Sequence, residues 1–524
     1  MTANAAIDPT TLVPGALDAG AFRDRSVSVL GFARSGIALA RFLHDAGAQV
    51  TVYDARPADA LSRAIAALEG RPVRLLLGPD VDPAAAVADA ALVTASPSIN
   101  PDYPTTEPRL RAVLADLVAH RAAGDATAPA IVSEVDLFLR LCPAPTVGIT
   151  GTKGKTTTSA LTHALLAAAI GDRAVLGGNI GIPLIERLPG LTSSHRVVVE
   201  LSELQLPTLS RGTSIAAYTN VTADHLDRHG SLEAYQRVKR RLAELVDPAG
   251  ALVLNLDDPI VAGYGAATAA RAIPYRRGEL PDGGLGVDHG WIVADAIAPI
   301  AGLDDSDGRL TTSTFDGGRI LPLAELTIPG AHNVSNALAA VAVALLFGVP
   351  PAAIRRAAAG FTGVEHRLER VAEIDGVRFI NDSQGTQPDA VIAALKAFDG
   401  PIVLIAGGRD KGVDLAELAA VVGRRAAAAV LIGESGPALE QLFRGAGLAI
   451  TERAGTLEEA VRAAELLARQ ARAALAQRHG PAAGMAPATV LLSPAAASFD
   501  MFEDYEARGR AFKAAVMQLV GERA

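Results

Sequence analysis

The stretch Thr146-Val-Gly-Ile-Thr150-Gly151-Thr152-Lys153-Gly154-Lys155-Thr156-Thr157 joins an apolar run to a glycine-rich turn, and an uncharged run from Ser159 to about Ile170 follows it. The apolar run predicts a strand over Thr146–Thr150, and the uncharged run predicts a helix. In this order of strand, turn and helix, the backbone N–H groups of the turn and the helix N-terminus can bind phosphate oxygens. The stretch therefore predicts a nucleotide-binding domain of the α/β class.

The side chains of this turn suit a nucleotide with a metal ion. Lys155 can reach the outer phosphates, and the Thr156 hydroxyl can hold Mg²⁺. A strict phosphate loop has glycine at position 149, where Ile149 stands, so this loop is a variant with its first glycine at 151. The residues expected to bind the nucleotide here are Gly151, Thr152, Lys153, Gly154, Lys155, Thr156 and Thr157.

A second unit of this kind lies near the N-terminus. Ser26–Leu30 and Gln49–Asp54 read as strands, and a turn over Gly31–Gly36 and a helix over Ile37–Ala46 lie between them. The turn is a near match to the dinucleotide-binding pattern, with Ala33 at the position of closest approach to a pyrophosphate. Both a nucleotide-type site and a purely structural turn are compatible with this pattern. Similar alternation continues to about Val132.

Acidic and basic residues follow the phosphate loop. Glu200 ends an apolar run at 197–199, where a P-loop domain usually completes its Mg²⁺ site. His225 lies in a polar turn, and an isolated histidine is more often structural than a ligand. Lys239 stands beside Arg240 and Arg241, so the pattern alone favours a solvated basic helix face.

The C-terminal part predicts a further α/β segment. After about Phe361, strands are expected near Val377–Asn381, Ile402–Gly407, Ala428–Ile432 and Thr489–Leu492. Ser498 is expected to open the last helix. The long apolar run at 337–354 predicts a buried helix that follows Asn333 and stops at Gly348, rather than a membrane span.

Composition limits the class of function. The length of 524 residues allows about three domains. The net charge of −9 provides no field that would attract nucleic acid or anionic lipid. Cys142 is the one cysteine, which suits a reducing compartment. We therefore expect a cytoplasmic protein that acts on small molecules, without nucleic-acid or membrane partners. We also expect a monomer, although composition does not determine the oligomeric state.

The motifs together resemble those of the Mur ligases. Five of them match the central ATPase domain of that family in order: Thr150–Thr157, Gly177–Gly181, Glu200–Gln205, Asn220–Asp227 and Tyr235–Lys239. The match continues through Gly330–Asn336, His366-Arg367, Asn381–Ser383 and Gly407-Gly408. The resemblance covers the chain from about Gly31 to the C-terminus.

The resemblance implies three α/β domains. Residues 1–132 would form a Rossmann-like domain that binds the UDP part of the substrate. Residues 133–363 would form the central P-loop ATPase with a mostly parallel sheet. Residues 364–524 would form an amino-acid-binding domain with a dinucleotide-binding-like fold.

The resemblance also assigns roles to individual residues. The catalytic positions would be Lys155, Glu200, His225 and Lys239. The metal positions would be Thr156, Glu200, His225 and Lys239, with Lys239 carbamylated and two Mg²⁺ ions bound. Besides the phosphate loop, ATP would contact Asn333, Asn336, Arg367 and Asp382. The muramoyl substrate would contact Gly31, Phe32, Ala33, Arg34, Ser35, Gly36, Asp54, Ser96, Asn179 and Gln205. The amino acid would contact Thr386, Lys411, Ser498 and Tyr505.

The implied activity is ATP-dependent amide ligation through an acyl phosphate, with D-glutamate joined to UDP-N-acetylmuramoyl-alanine for peptidoglycan synthesis. Gln384 and Gly385 stand where ligases that add D-glutamate usually have lysine and alanine, Ser98 replaces a usual glycine, and Tyr505 replaces a usual phenylalanine. A Mur ligase that adds L-glutamate or another amino acid therefore stays open. Outside the family, an NAD-dependent oxidoreductase and a nucleotide-binding switch are the alternatives.

Overall fold

The computed structural model describes residues 5–224, 226–303, 318–328, 330–410, 413–479 and 486–523. The chain divides into two compact units, residues 1–361 and 362–524. The strands of the described residues form two sheets in the first unit and one in the second.

The first sheet contains the N-terminal strand–turn–helix unit. Its described strands are β1 Ser26–Leu30, β2 Gln49–Asp54, β3 Arg74–Leu77, β4 Leu92–Ala95 and β5 Ala130–Ser133. They pair in parallel in the order β3-β2-β1-β4-β5. The order reverses between β1 and β4, and ligands of doubly wound sheets bind at the carboxyl ends of the strands at such a point. Gly31 and Ser96 directly follow these two strands.

The second sheet carries the phosphate loop. Its described strands are β6 Thr146–Thr150, β7 Ala174–Gly178, β8 Arg196–Glu200, β9 Ile215–Tyr218, β10 Ala251–Asn255, β11 Arg271–Tyr275, β12 Leu285–Asp288, β13 Trp291–Ala294 and β14 Arg319–Pro322. Their order is β14-β13-β12-β11-β10-β9-β6-β8-β7, antiparallel only where β13 meets its neighbours. Strand β6 lies between β8 and β9, so the residues that follow these three strands meet at one edge.

The third sheet belongs to the unit of residues 362–524. Its described strands are β15 Glu369–Ile374, β16 Val377–Asn381, β17 Ile402–Gly407, β18 Ala426–Ile432, β19 Thr451–Arg453 and β20 Ala488–Leu492. The order is β15-β16-β20-β17-β18-β19, and β15 alone among these strands runs antiparallel to its neighbour. The carboxyl ends of β16, β20 and β17 therefore lie side by side.

Helices connect these strands. They are α1 Arg34–Asp45, α2 Ser62–Ala66, α3 Ala84–Val87, α4 Pro108–Ala122, α5 Glu134–Leu141, α6 Lys155–Ile170, α7 Leu226–His229, α8 Leu232–Leu245, α9 Pro259–Ala262, α10 Ala331–Leu346, α11 Pro351–Gly360, α12 Pro388–Lys396, α13 Ala416–Arg425, α14 Gly436–Gly445, α15 Leu457–His479 and α16 Tyr505–Gly521. The apolar helix α10 is buried against α6 and β10. No helix within the described ranges has both the length and the apolar character that crossing a bilayer requires.

The predicted α/β class with mostly parallel sheets is confirmed. Several predicted boundaries move by a few residues. Helix α1 begins at Arg34 rather than Ile37, and α6 begins at Lys155 rather than Ser159. In both cases the helix starts inside the predicted turn. Helix α6 is capped by Gly154 with φ +87°, a conformation that favours glycine, whereas α1 is capped by Ala33 in an extended conformation. The domain boundaries at 132/133 and 363/364 stay predictions.

Candidate active site

The phosphate loop lies between β6 and α6, and its glycines are required by neighbouring segments. Gly151 has φ +151°, and a Cβ atom there would lie 2.0 Å from Thr219 Oγ1. Gly154 has φ +87° and caps α6, and a Cβ there would lie 2.4 Å from Asn336 Oδ1. A larger residue would therefore clash at either position, besides adopting a backbone conformation that favours glycine.

The loop after β9 holds the phosphate loop in place. The Thr152 backbone N–H donates to the carbonyl oxygen of Asn220 at 2.8 Å, and that of Lys153 donates to Asn220 Oδ1 at 2.9 Å. The Thr219 hydroxyl donates to the Lys153 carbonyl at 2.7 Å. These hydrogen bonds fix the path of the turn before any ligand binds, which lowers the entropy that binding would otherwise cost.

Lys155 is the first residue of α6, and its ammonium group folds back over the loop. Its Nζ donates to the carbonyl oxygens of Gly151 at 3.0 Å and Thr152 at 2.8 Å. Thr156 follows it and is buried, with 7% of its surface exposed. A cation and a hydroxyl at a helix N-terminus are the groups that a phosphate and its metal ion require.

Asn333 and Asn336 meet the phosphate loop from α10. Asn336 Nδ2 donates to Asn333 Oδ1 at 3.1 Å, and Asn336 Oδ1 accepts a hydrogen bond from the Thr158 hydroxyl at 3.3 Å. Two residues that are about 180 positions away from the loop in sequence thus reach the start of α6. Both asparagines were predicted to contact ATP, and the structure brings them to the phosphate loop.

Glu200 ends β8 beside the phosphate loop, and its carboxylate is 2% exposed. Oε1 accepts a hydrogen bond from Asn179 Nδ2 at 3.0 Å, and the backbone of the same two residues is joined at 2.9 Å. Oε2 is buried and has no hydrogen-bond partner within the described part of the chain. An unsatisfied buried carboxylate oxygen costs free energy unless it binds another group, and a divalent cation is such a group.

Lys239 is fully buried, so the interpretation as a solvated basic face is wrong for this residue. Its Nζ donates to the Gly151 carbonyl at 3.0 Å and lies 5.4 Å from the centre of the Tyr235 ring. Burial, reinforced by the charge of Lys155, lowers the pKa of Lys239 from 10.5 to about 7. Its neighbour Arg240 stays half exposed in an ion pair with Glu244. One turn of α8 therefore carries both a surface cation and a buried amine.

Between Glu200 and Lys239 in sequence, His225 lies outside the described residues. On its N-terminal side, Asp224 Oδ2 lies 3.2 Å from Lys153 Nζ. On its C-terminal side, Arg228 forms an ion pair with Glu203 at 3.1 Å. The role of His225 stays a prediction.

The N-terminal turn is closed by an acid from β2. The Phe32 backbone N–H donates to Asp54 Oδ2 at 2.8 Å, and Arg56 forms two side-chain hydrogen bonds to Asp54 at 2.9 and 2.7 Å. Burial raises the pKa of Asp54, but these hydrogen bonds outweigh it, so the pKa lies below its usual value. A Cβ atom at Gly36 would lie 1.8 Å from the Gly31 carbonyl oxygen, so a larger residue at position 36 would clash with the start of the turn.

The remaining residues predicted to bind the muramoyl substrate lie around this turn and the central sheet. Ala33, Arg34 and Ser35 continue the turn into α1, where Arg34 is the first helical residue. The hydroxyls of Ser96 and Ser98 lie 3.2 Å apart in the loop after β4. Gln205 is buried, and its Oε1 accepts hydrogen bonds from the Ser202 backbone at 3.0 Å and hydroxyl at 3.1 Å.

In the second unit, Asp382 follows β16 and is held from two sides. Its Oδ1 accepts from the Leu368 backbone at 3.1 Å, and its Oδ2 accepts from the Ser493 hydroxyl at 2.6 Å. Burial raises its pKa to about 6. Thr386 lies in the same loop, and its backbone N–H donates to the Gln384 carbonyl at 2.8 Å. Arg367 precedes the residue that binds Asp382.

The prediction that Ser498 opens the last helix is wrong. Helix α16 begins at Tyr505, with Asp504 as the capping residue, because Asp504 Oδ1 accepts from the Ala507 backbone. Ser498 instead begins a turn in which its carbonyl accepts from Met501 at 3.1 Å and Phe502 at 2.8 Å. The helix N-terminus therefore adds nothing at Ser498. Lys411 lies outside the described residues.

Sequence reasoning missed several residues that shape these sites. Arg508 is fully buried and joins two loops, with Nε and Nη2 bound to the Ser383 hydroxyl and carbonyl at 3.0 Å and Nη1 bound to the Ala496 carbonyl at 3.3 Å. Arg56, two residues after the strand-terminal Asp54, could have been found from the short spacing of opposite charges. For Arg508 the sequence carries no such signal, since an arginine in a helix is usually exposed.

Comparisons to known proteins identify the family of the chain. The sequence profile of the Mur ligase middle domain matches residues 149–344, and that of the Mur ligase glutamate ligase domain matches residues 366–476. The chain belongs to the Mur ligase family and is an ATP-dependent, ADP-forming ligase.

Two full-length relatives identify the part of the family to which the chain is similar. It is 38% identical to the UDP-N-acetylmuramoylalanine–D-glutamate ligase of Symbiobacterium thermophilum, over 96% of this chain and all of that protein. It is 39% identical to the protein of the same name from Geobacter metallireducens, over 95% of this chain and 99% of that one. A crystal structure of UDP-N-acetylmuramate-alanine ligase from Thermotoga maritima is 17% identical, with a TM-score of 0.49, and covers 94% of this chain and 99% of its own.

Proposed function

We propose that this protein joins D-glutamate to the alanyl carboxylate of UDP-N-acetylmuramoyl-alanine, at the expense of ATP, in the synthesis of peptidoglycan precursors. The relatives that carry the name of this activity match nearly the whole chain. The observation that carries the proposal is the meeting of Lys155, Lys239 and the phosphate loop at Gly151, where both amines donate to one carbonyl oxygen. The oxidoreductase and switch alternatives are not favoured, because neither needs a buried amine beside the loop.

In the proposed reaction the alanyl carboxylate attacks the γ-phosphorus of ATP, which forms an acyl phosphate and releases ADP. The amine of glutamate then attacks the acyl carbon, and the tetrahedral intermediate expels phosphate. Both steps concentrate negative charge on oxygen atoms. Lys155 and the backbone N–H groups at the start of α6 are fixed in place to stabilise that charge.

The family uses ATP with Mg²⁺, and the residues near the loop fit a hard cation. Glu200 Oε2 is buried with no hydrogen-bond partner among the described residues, and Thr156 is buried at the start of α6. Both are oxygen ligands of the type that Mg²⁺ prefers. Bound Mg²⁺ would neutralise charge on the phosphates. We propose a second ion held by His225 and Lys239.

We further propose that Lys239 is carbamylated. A lysine binds CO₂ through its neutral amine, and with a pKa of about 7 a large fraction of Lys239 is neutral at physiological pH. Carbamylation would replace a buried cation by an anionic oxygen ligand. It would also remove the repulsion between Lys239 and Lys155, both of which donate to the Gly151 carbonyl.

We propose that the amino acid binds to four residues of the second unit, namely Thr386, Lys411, Ser498 and Tyr505. Arg508 supports this assignment by joining the Ser383 loop to the Ala496 loop, and the Ser383 hydroxyl donates to the Tyr505 carbonyl at 2.7 Å. Gln384 Oε1 is buried and has no hydrogen-bond partner among the residues that the structure describes. This oxygen is therefore available to a hydrogen-bond donor of the ligand, at the position where a lysine is usual. ATP would also contact Arg367 and Asp382 of this unit.

The test is an assay of ADP release with ATP, Mg²⁺, UDP-N-acetylmuramoyl-L-alanine and a panel of D- and L-amino acids. We expect ADP release to need both the muramoyl substrate and an amino acid, with the highest kcat/KM for D-glutamate and a product identified by mass. A preference for L-glutamate would overturn the amino-acid assignment alone. Release of phosphate without either substrate would overturn the ligase assignment. The proposal includes a cytoplasmic monomer, which fractionation and light scattering would check.

A further inference from the structure

Helix α5 contains two buried carboxylates that the proposed reaction does not use. Glu134 and Asp136 occupy its first turn and are 3% and 2% exposed. Ser133 caps the helix by accepting from the Asp136 backbone at 3.2 Å. Acidic residues are favourable in the first turn of a helix, but burying a carboxylate is costly unless hydrogen bonds compensate. The hydrogen-bond partners of these two carboxylates therefore indicate their role in the structure.

Glu134 binds the loop that carries Asn179. Its Oε1 accepts a hydrogen bond from the Ile185 backbone N–H at 3.1 Å. At its other end, the same loop is held by Glu200 through both the backbone and the side chain of Asn179. The segment from 179 to 185 is thus fixed by one carboxylate at each end.

Asp136 binds the loop that carries Gln205. Its Oδ1 accepts from the backbone N–H groups of Ser210 at 2.7 Å and Arg211 at 3.1 Å, and its Oδ2 accepts from the Ser210 hydroxyl at 2.6 Å. The capping residue contributes as well, because Ser133 Oγ accepts from the Thr208 hydroxyl at 2.7 Å. That hydroxyl also lies 2.7 Å from the Gln205 carbonyl.

We infer that Glu134 and Asp136 are positioning residues for the muramoyl substrate, because one helical turn holds the Asn179 loop and the Gln205 loop at a fixed separation. The inference rests on the proposed function, which assigns both loops to that substrate. Asn179 and Gln205 would contact the ligand, whereas α5 acts through them. A positioning error of about 1 Å in such loops costs roughly 10²-fold in rate in well-ordered active sites.

The sharpest test uses a matched pair at position 134. Glu134→Gln keeps an oxygen that can accept from Ile185, whereas Glu134→Met has similar length and no such acceptor. We expect Glu134→Met to raise the KM for UDP-N-acetylmuramoyl-L-alanine at least tenfold and to leave the KM for ATP and for D-glutamate within twofold. Glu134→Gln should stay near wild type. Direct binding of the muramoyl substrate without ATP should weaken in the same order.

Glu107→Ala is the control, since the side-chain hydrogen bonds of Glu107 go to the Leu110 backbone and to Arg109, both on the helix that it caps. A parallel rise of all three KM values, or an unchanged KM for the muramoyl substrate in Glu134→Met, would overturn the inference. If Glu134→Met does not fold, Asp136→Asn is decisive. It should raise the same KM alone by about two- to fivefold, and an unselective effect would refute the inference. Wild-type protein without ligase activity would refute the proposed function instead.

Discussion

The turn at 31–36 and the turn at 151–154 are two versions of one local structure, a strand, a glycine turn and a helix in a parallel sheet. Each helix begins with a basic residue, Arg34 in α1 and Lys155 in α6. The difference lies in what surrounds them. At the first turn, Asp54 accepts the Phe32 N–H and pairs with Arg56. At the second, Lys155 and Lys239 face the carbonyl of Gly151.

The comparison shows that the residue that begins the helix and the side chains of neighbouring segments together determine the local charge. An acid at the end of β2 pairs with Arg56 at the first turn, whereas Lys155 of α6 and Lys239 of α8 lie beside the second turn. A triphosphate requires positive potential at the helix N-terminus. The second turn is therefore the better candidate for ATP, which leaves the first turn to the proposed UDP part of the muramoyl substrate. Four experiments with substitutions test this difference, in order of decreasing expected effect.

The first experiment compares substitutions of the two residues that begin the helices. Lys155→Ala should lower kcat/KM by about 10³-fold or more, because it removes a cation from the charge that develops on phosphate oxygens. Arg34→Ala should change mainly the KM for the muramoyl substrate, by less than about tenfold. Steady-state kinetics and melting temperatures would measure both. Similar losses in the two variants would abolish the proposed difference between the turns.

The second experiment tests the role of the buried Lys239 amine. Lys239→Ala should lower activity by about 10²–10³-fold, because the proposed metal ligand is lost, and short carboxylates should restore part of it. Carbamylation of the wild-type protein, followed by mass or ¹³C spectroscopy, should increase as pH rises through about 7, since the neutral amine then predominates. Arg240→Ala, one residue further along α8, should be nearly neutral because its ion pair is on the surface. Full activity of Lys239→Ala in CO₂-depleted buffer would contradict the carbamate.

The third experiment compares one glycine from each turn, Gly154 and Gly36. Gly154→Ala should lower kcat/KM for ATP by at least about tenfold, because the new methyl group would displace Asn336. It should also lower the free energy of unfolding by roughly 1–2 kcal/mol, because alanine disfavours the positive φ at this position. Gly36→Ala should affect stability more than ATP use, since its Cβ would press on the backbone carbonyl of Gly31. Thermal unfolding and ATP kinetics together give the comparison. Loss of ATP affinity in Gly36→Ala would mean that the first turn also serves the nucleotide.

The smallest effect is expected from Asp54→Asn. The amide oxygen can still accept from Phe32, but the charge that holds Arg56 is lost, so we expect destabilisation by about 1–3 kcal/mol. The KM for the muramoyl substrate should rise a few fold, and the KM for ATP should not change. Urea unfolding would measure the free energy. A change in the KM for ATP alone would reverse the assignment of the two turns.

Local signals in the sequence predicted much of the fold. The predicted bounds are correct for five strands, β1, β2, β6, β16 and β17. A strand can be recognised from the hydrophobic pattern of residues that are adjacent in the chain. Helix starts were less accurate, as at α1 and α6, and Ser498 was assigned to a helix that begins at Tyr505. The start of a helix depends on which residue caps it, and several polar residues compete for that role.

The sequence by itself determined the order of strands and helices, the glycine turn at 151–154, and the resemblance to the Mur ligases, since all of these depend on residues close together in the chain. Only the tertiary structure decided which charged groups lose their water. Lys239 looks like its arginine neighbours but is buried against Gly151, which is 88 residues away. Glu200 has a buried oxygen that finds no hydrogen-bond partner in the described ranges, and Glu134 accepts a hydrogen bond from Ile185. Desolvation depends on the atoms that packing brings together from distant segments, and no local pattern records them.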